Sequence, residues 1–287
     1  MSNSVHERIA DARQRLRAAG IPAAEAGLDA RLLAQHVLGW DAAALLASGQ
    51  EPAPAAFGAS YDALVTRRAT REPLAYITGT KEFWGLALEV SPAVLIPRPE
   101  TEWLVEAALA QCPIGRSATI ADVCTGSGCI AVALATERPQ LQIVATDLSE
   151  RALSVAARNA HRHGVTDRIR FVRADMLSGI TARFDAIVSN PPYVPAVDRL
   201  TLQPEVGGFE PALALFGGAD GLDIVRALIE HATVRLSPGG VLLFEFGAGQ
   251  ESAIRELIAM TAALRIIDVL QDLQGIPRVA VARLFRT

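Results

Sequence analysis

Asn190-Pro191-Pro192-Tyr193 is the segment of this 287-residue chain whose residue types define a chemistry most narrowly. It follows Phe184-Asp185-Ala186-Ile187-Val188-Ser189, an apolar run with the length of a buried strand. An amide or amino nitrogen conjugated to a π system is a poor nucleophile, because its lone pair is delocalised. Two acceptors can hold its two N–H groups and turn the lone pair toward a methyl group. The Asn190 side-chain oxygen supplies one acceptor and the Pro191 carbonyl the other. Pro191 and Pro192 donate no N–H and fix φ, so the loop is stiff. Tyr193 can pack against a flat amide or ring. Positioning is most of what such a transfer needs; aligned reactants lower a barrier by roughly 7–11 kcal/mol. Acceptor dipoles aimed at the N–H groups stabilise the charge that moves onto nitrogen. No general base is assigned, since the proton can leave to water afterwards. The plainer reading is a proline-rich loop that only ends a strand.

A second motif argues against that plainer reading. Asp122-Val123-Cys124-Thr125-Gly126-Ser127-Gly128 closes one expected strand and opens a helix. In doubly wound sheets, ligands bind outside the carboxyl ends of strands. Gly126 and Gly128 allow a sharp turn and close approach to a ligand. Asp147 falls at the end of the next strand, where an acidic residue accepts hydrogen bonds from ribose hydroxyls. Asp175 ends a third strand, placed to meet an adenine amino group with Met176 against the ring. Cys124, Thr125, Gly126, Ser127, Gly128, Asp147, Asp175 and Met176 are therefore the candidate cofactor contacts. Gly126-x-Gly128-x-x-Ala131 followed by Asp147 also fits a nicotinamide dinucleotide. On this feature alone, NAD and S-adenosylmethionine both stand. A pyrophosphate favours a helix N-terminus, whereas a sulfonium wants acidic neighbours, for which Asp122 and Glu100 are candidates.

The elements that must position these residues alternate along the chain. Strands are expected at Ala118–Val123, Gln142–Thr146, Ile169–Arg173, Phe184–Ser189, Val241–Phe246, Leu264–Leu270 and Val279–Phe285. Helices are expected at Trp103–Gln111, Cys129–Glu137, Glu150–His163, Gly221–Leu236 and Glu251–Met260. The alternation predicts a mostly parallel seven-stranded sheet with helices on both faces, a Rossmann-like α/β fold. Only Gln271–Arg278 joins the last two strands, too short for a helical crossover, so the last strand should run antiparallel. The chain before this reads as helices Val5–Ala19, Ala23–Leu38, Asp41–Ser48 and Phe57–Thr70. Phe83–Val90 reads as a short hairpin or extended linker, and Leu95–Thr101, with two prolines, as extended. The domains expected are a helical domain at 1–78, a linker at 79–98 and a catalytic domain at 99–287.

Composition excludes several classes. With 51% hydrophobic and 20% charged residues the chain is of ordinary globular type. No apolar run is long enough to span a bilayer, and the N-terminus has no basic segment followed by an apolar one; no signal peptide and a cytoplasmic location are expected. Three cysteines without a CxxC, and histidines without ligand spacing, predict no metal site. The net charge of −4 argues against a sequence-independent grip on phosphate backbones, so no direct nucleic-acid partner is expected.

Several segments together resemble one family. Arg71-Glu72-Pro73-Leu74-Ala75-Tyr76-Ile77-Thr78-Gly79, Phe83-Trp84, Leu95–Thr101 (LIPRPET), Asn190–Tyr193, Phe209-Glu210-Pro211 and Asp272–Arg278 (DLQGIPR) are similar to the bacterial release-factor glutamine methyltransferases, the PrmC or HemK family. The match runs over nearly the whole chain. The resemblance implies S-adenosylmethionine as cofactor and a helical N-terminal domain that recognises a peptide chain release factor. It implies N5-methylation of the glutamine in a Gly-Gly-Gln tip, with Asn190–Tyr193 holding that glutamine and with Thr125–Gly128, Asp147, Asp175, Met176 and Asn190 touching the cofactor. The family usually has Gly where this chain has Cys124, and Asp122–Ile130 is more like a sister enzyme acting on a large-subunit ribosomal protein. LIPRPET and DLQGIPR favour the release factor. Rival readings are a nucleic-acid adenine or cytosine methyltransferase, which uses a similar loop on a flipped base, a nicotinamide oxidoreductase, and a non-catalytic binding protein.

Overall fold

The computed structural model describes residues 4–285. The leader reading, where it rests on Met1–Asn3, lies outside the described residues. The chain divides into two compact units. One runs up to Gly79 and takes in Gln203–Phe209; the other holds Thr80–Leu202 and the chain from Glu210 onward.

The first unit contains helices α1 (Val5–Ala18), α2 (Ala23–Leu38), α3 (Ala42–Ser48), α4 (Phe57–Ala69) and α5 (Leu74–Thr78). Ser4 and Glu7 form a capping box that satisfies two amide groups at the start of α1. Asp41 caps α3 by accepting the Ala44 N–H, and left-handed Gly39 ends α2. The sequence reading missed α5, whose five residues between Pro73 and Gly79 are too few to show a period. Leu16, Leu33, Phe57, Tyr61 and Val65 form the core, with the Phe57 and Tyr61 rings stacked at 4.8 Å. The Tyr61 hydroxyl stays buried by donating to the Ala30 carbonyl. Arg68 is only 3% exposed. Its guanidinium meets Asp29 at 2.7 Å and Glu205 at 3.0 Å, and Glu205 also meets Arg71 at 2.6 Å. Glu205 belongs to Pro204–Phe209, a short helix (α9 in chain order) that the sequence reading left unassigned.

The second unit opens with a hairpin of β1 (Thr80–Phe83) and β2 (Leu86–Glu89). Trp84 and Gly85 both have positive φ, the backbone a two-residue hairpin turn requires. There follow α6 (Thr101–Gln111), β3 (Ala118–Val123), α7 (Cys129–Glu137), β4 (Leu141–Asp147), α8 (Glu150–Arg162), β5 (Ile169–Arg173) and β6 (Phe184–Ser189). After α9 come α10 (Ala212–Leu215), α11 (Asp223–Arg235), β7 (Leu236–Glu245), α12 (Glu251–Ala259), β8 (Leu264–Gln271) and β9 (Pro277–Leu284). The sheet order is β5-β4-β3-β6-β7-β9-β8, and β9 runs antiparallel to both its neighbours. The other strand pairs are parallel. One apolar layer joins the sheet to Leu104 and Val105 of α6, Leu134 of α7 and Ala160 of α8. The opposite layer joins it to Val225 and Leu228 of α11 and Ile254 and Ile258 of α12. Burial on both faces explains why strands such as β3 and β6 read as continuous apolar runs. The fold is the mostly parallel, Rossmann-like α/β sheet expected from the sequence, with its antiparallel final strand.

Register fixes what the sheet presents at its carboxyl edge. Val123 lies opposite both Thr146 and Ser189, and Ser189 lies opposite Phe244. The next residues on four neighbouring strands are Cys124, Asp147, Asn190 and Glu245. Among the described residues, no helix is long and apolar enough to cross a membrane, and no cluster of His, Cys, Asp and Glu could hold a metal ion.

Breaking a buried ion pair by removing one partner costs about 3–5 kcal/mol, because the other charge stays buried. Arg68→Ala should lower the stability of the protein by that order in urea unfolding, since it strands Asp29 and leaves Glu205 with Arg71 alone. A loss below about 1 kcal/mol would show that these carboxylates reach water without it.

Candidate active site

The loop between β3 and α7 is built by hydrogen bonds rather than by contacts among its own side chains. The Thr125 N–H donates to the Thr146 carbonyl at 2.9 Å, and the Gly126 N–H to Asp147 Oδ2 at 2.9 Å. Asp147 Oδ1 accepts the Ser149 N–H at 2.8 Å. Each carboxylate oxygen keeps a second acceptor direction. Burial raises the Asp147 carboxyl above its usual range, against backbone N–H groups that favour the charged form. Asn159, fully buried, donates to the Ser127 carbonyl and fixes the far side of the loop. Gly128 opens α7 at φ +79°, and a Cβ there would meet the Ala156 Cβ at 2.9 Å. Its absent side chain thus lets α7 and α8 pack closely. Cys124 has φ +60°, a left-handed conformation that favours glycine. A glycine at this place would take up that conformation without strain, whereas Cys124 accepts it.

Beneath the loop lies Asp122, with no exposed surface. Its Oδ2 accepts from the Thr125 hydroxyl at 2.6 Å and the Ala131 N–H at 3.2 Å, while Oδ1 has no partner. Burial pushes this carboxyl up to about 7.

At the end of β6, Pro191 and Pro192 are buried and Asn190 is half-buried. Asn190 Nδ2 donates to the Thr101 hydroxyl at 3.0 Å. The Thr101 hydroxyl donates to Glu245 Oε2 at 2.7 Å, and the Tyr193 hydroxyl to Glu245 Oε1 at 3.1 Å. Glu245, 1% exposed, thus joins two ends of the loop. Burial raises its carboxyl, and burial beside that carboxyl raises the Tyr193 phenol. Gln250 Nε2 supports the Tyr193 carbonyl at 3.0 Å. Gly221 packs so closely that a Cβ would lie 2.2 Å from that same carbonyl.

A cleft of about 1040 Å³, its open mouth included, runs over these strand ends. Cys124, Thr125, Gly126 and Ser127 line it, as do Asp147, Asp175 and Met176. Asn190 and Pro192 line the same cleft, so the two motifs share one site. Gly128, Pro191 and Tyr193 support the walls and are absent from the lining. Neither candidate for an acidic field lines it: Asp122 is sealed below the loop, and Glu100 faces a separate groove with Trp84 and Trp103. The sequence reading missed Thr101, Arg98, Leu213 and Ile224, which also line the cleft. Thr101 and Arg98 lay inside the LIPRPET segment, which was read for resemblance rather than for chemistry. Leu213 and Ile224 carried no signal beyond hydrophobicity.

The lining tests the choice of cofactor. Its carboxylates are Asp147 and Asp175, and its one cation, Arg98, is already engaged by Glu210 at 2.6 Å. A pyrophosphate needs free donors and positive charge. A sulfonium nucleoside needs hydroxyl acceptors and apolar walls, which Asp147, Met176 and Ile130 supply.

Fold and cleft together define a class I S-adenosylmethionine-dependent methyltransferase. The Methyltransferase small domain family matches residues 100–202, and the PrmC N-terminal domain family matches residues 7–79. A solved methyltransferase from Pyrococcus furiosus shares the fold at a TM-score of 0.54 with 20% identity, covering 76% of this chain and 98% of that one. The release factor glutamine methyltransferase of Cereibacter sphaeroides is 46% identical over 94% of this chain and 95% of its own length. That of Xylella fastidiosa (strain 9a5c) is 45% identical over 89% of this chain and 92% of its own. The chain belongs to the release factor glutamine methyltransferase family, and its cofactor is S-adenosylmethionine.

Two substitutions probe the cofactor side. Hydrogen bonds to a charged acceptor contribute about 1.5–3 kcal/mol each. Asp147→Ala should therefore weaken S-adenosylhomocysteine binding by at least about tenfold in calorimetry; an unchanged affinity removes Asp147 from the site. Cys124→Gly should keep or slightly raise the melting temperature. Cys124→Val should lower it, because a β-branched residue resists left-handed φ. Equal melting temperatures would mean that the loop relaxes freely.

Proposed function

We propose that this protein transfers the methyl group of S-adenosylmethionine to the side-chain amide nitrogen, N5, of the glutamine in a release factor's Gly-Gly-Gln tip. The observation that carries this reading is the extent of the kinship. At more than 40% identity it spans both the helical unit and the sheet unit, with relatives named for release factors. Structural likeness to nucleic-acid methyltransferases stays below 25% identity and concerns the shared fold.

In this reading Cys124–Gly128, Asp147, Asp175 and Met176 hold the cofactor, which supplies an electrophilic methyl on a positively charged sulfur. Asn190 Oδ1 and the Pro191 carbonyl each accept one N–H of the glutamine amide. Holding both N–H groups turns the nitrogen lone pair toward the methyl and stabilises the charge that nitrogen gains. Pro192 stiffens the loop, and Tyr193 backs the amide plane. The proton leaves to water. The helical domain recognises the release factor, residues 99–287 carry out the transfer, and the reaction takes place in the cytoplasm without a nucleic-acid partner.

The test is methyl transfer from radiolabelled cofactor to three purified acceptors: a release factor, its variant lacking the tip glutamine, and the large-subunit ribosomal protein. Label on the intact release factor alone is the expected result. Label only on the ribosomal protein would mean that Cys124 and its neighbours were the better guide to the target. Asn190→Ala should lose transfer by 100-fold or more while largely keeping the fold, as checked by its melting temperature.

A further inference from the structure

Glu245 lies beyond the Asn-Pro-Pro-Tyr motif, yet the motif's first and last side chains both end on it. An ionised carboxylate only accepts hydrogen bonds, and a hydroxyl has one proton to give. Thr101 spends that proton on Glu245 at 2.7 Å. Toward Asn190 it can then only accept, so the group that faces it must be the Asn190 NH₂ and not its oxygen. The amide's other end, Oδ1, is the acceptor left for the cleft. The order Asn190 N–H to Thr101 O–H to Glu245 carboxylate therefore has one direction, and the carboxylate sets it.

We propose that Glu245 and Thr101 are positioning residues that fix the Asn190 amide with its oxygen toward the acceptor substrate. The inference rests on the glutamine reading above. Reversed, the amide would present N–H groups to a substrate N–H, a repulsive contact that holds no nucleophile. Protonation of Glu245 permits that reversal. The acid could then donate to Thr101, and the Thr101 hydroxyl could turn its proton to Asn190. The titratable groups near enough to interact with the Glu245 charge are Glu100 ahead of α6, Tyr193 after β6, Cys129 at the start of α7 and Arg278 on β9, the last paired with Asp272. Burial raises the Glu245 carboxyl, so the reversal falls at a higher pH than for an exposed glutamate.

Thr101→Val keeps the shape of the side chain and removes the relay, whereas Thr101→Ser keeps the hydroxyl. Both are compared with wild type for methyl transfer to the release factor at saturating cofactor, for S-adenosylhomocysteine affinity and for melting temperature. Thr101→Val is expected to lower kcat by about 10–100-fold, with cofactor affinity changed less than threefold, and Thr101→Ser to recover most of the rate. Wild-type kcat should fall as pH drops through the Glu245 titration, and Thr101→Val should lose that limb. Wild-type transfer with an unimpaired Thr101→Val enzyme overturns the proposal. So does a Thr101→Ser enzyme as slow as Thr101→Val at the wild-type melting temperature. Wild-type protein that binds S-adenosylhomocysteine but methylates no release factor overturns the glutamine reading itself, and this proposal falls with it.

Discussion

The site depends on one constraint, the common level at which four strands stop. Parallel register sets Val123, Thr146, Ser189 and Phe244 side by side. The first residue beyond each strand end or core is then a functional candidate or its support: Cys124, Asp147, Asn190 and Glu245. A slip of one residue in a strand turns every side chain to the opposite face. The apolar layers on both faces of the sheet forbid such a slip, because it would exchange two sets of packed side chains. Core packing thus sets the geometry of the cleft to within a residue, and the loops need to supply only local turns.

The second theme is the burial of acids. Asp122, Asp147, Glu210 and Glu245 are all raised by burial, and all sit beneath or beside the cleft. A buried carboxylate is costly unless paired or hydrogen-bonded. Here the partners are hydroxyls and backbone N–H groups, with Arg98 for Glu210. Burial shifts these carboxyls toward their neutral form, and the hydrogen bonds they keep hold the loops around the cleft in place. The carboxylates that do line the cleft, Asp147 and Asp175, with Arg98 already engaged by Glu210, suit a sulfonium nucleoside better than a phosphate.

Much of this was legible from sequence, for identifiable reasons. Strands buried on both faces read as apolar runs, and the short Gln271–Arg278 connection forced an antiparallel end. The Gly-rich turn and the proline loop were legible because glycine and proline have few other uses at strand ends. The helices α5, α9 and α10 were not, being too short for a period. Nor was the passage of Gln203–Phe209 into the helical unit, which rests on the Arg68–Glu205 pair across more than a hundred residues. Glu100 was a candidate for the acidic field around the sulfonium; the turn into α6 sends it to another groove and brings Thr101 into the cleft instead. Glu245 fell inside the expected strand Val241–Phe246 with no role assigned, and the register of β6 against β7 brings it to the level of Asn190.

The loop chemistry does not by itself choose a protein target. Two acceptors on a rigid turn suit an adenine amino group as well as a glutamine amide, since both offer two N–H groups in a plane. A site of this kind recurs on one fold with different substrates, so specificity must come from whatever brings the acceptor in. A flipped base needs a surface that holds phosphates, and that means unpaired cations. Near this cleft the cations are spent: Arg98 on Glu210 and Arg278 on Asp272. Arg199, a few residues beyond the Asn190 loop, lies over the Phe216 ring at 5.1 Å. A neutral side chain at the tip of a protein can enter such a cleft without losing counter-charges, whereas a nucleotide would bring its phosphates against carboxylates. Charge at the mouth, rather than geometry at the reacting nitrogen, is therefore where the two substrate classes differ in what they require.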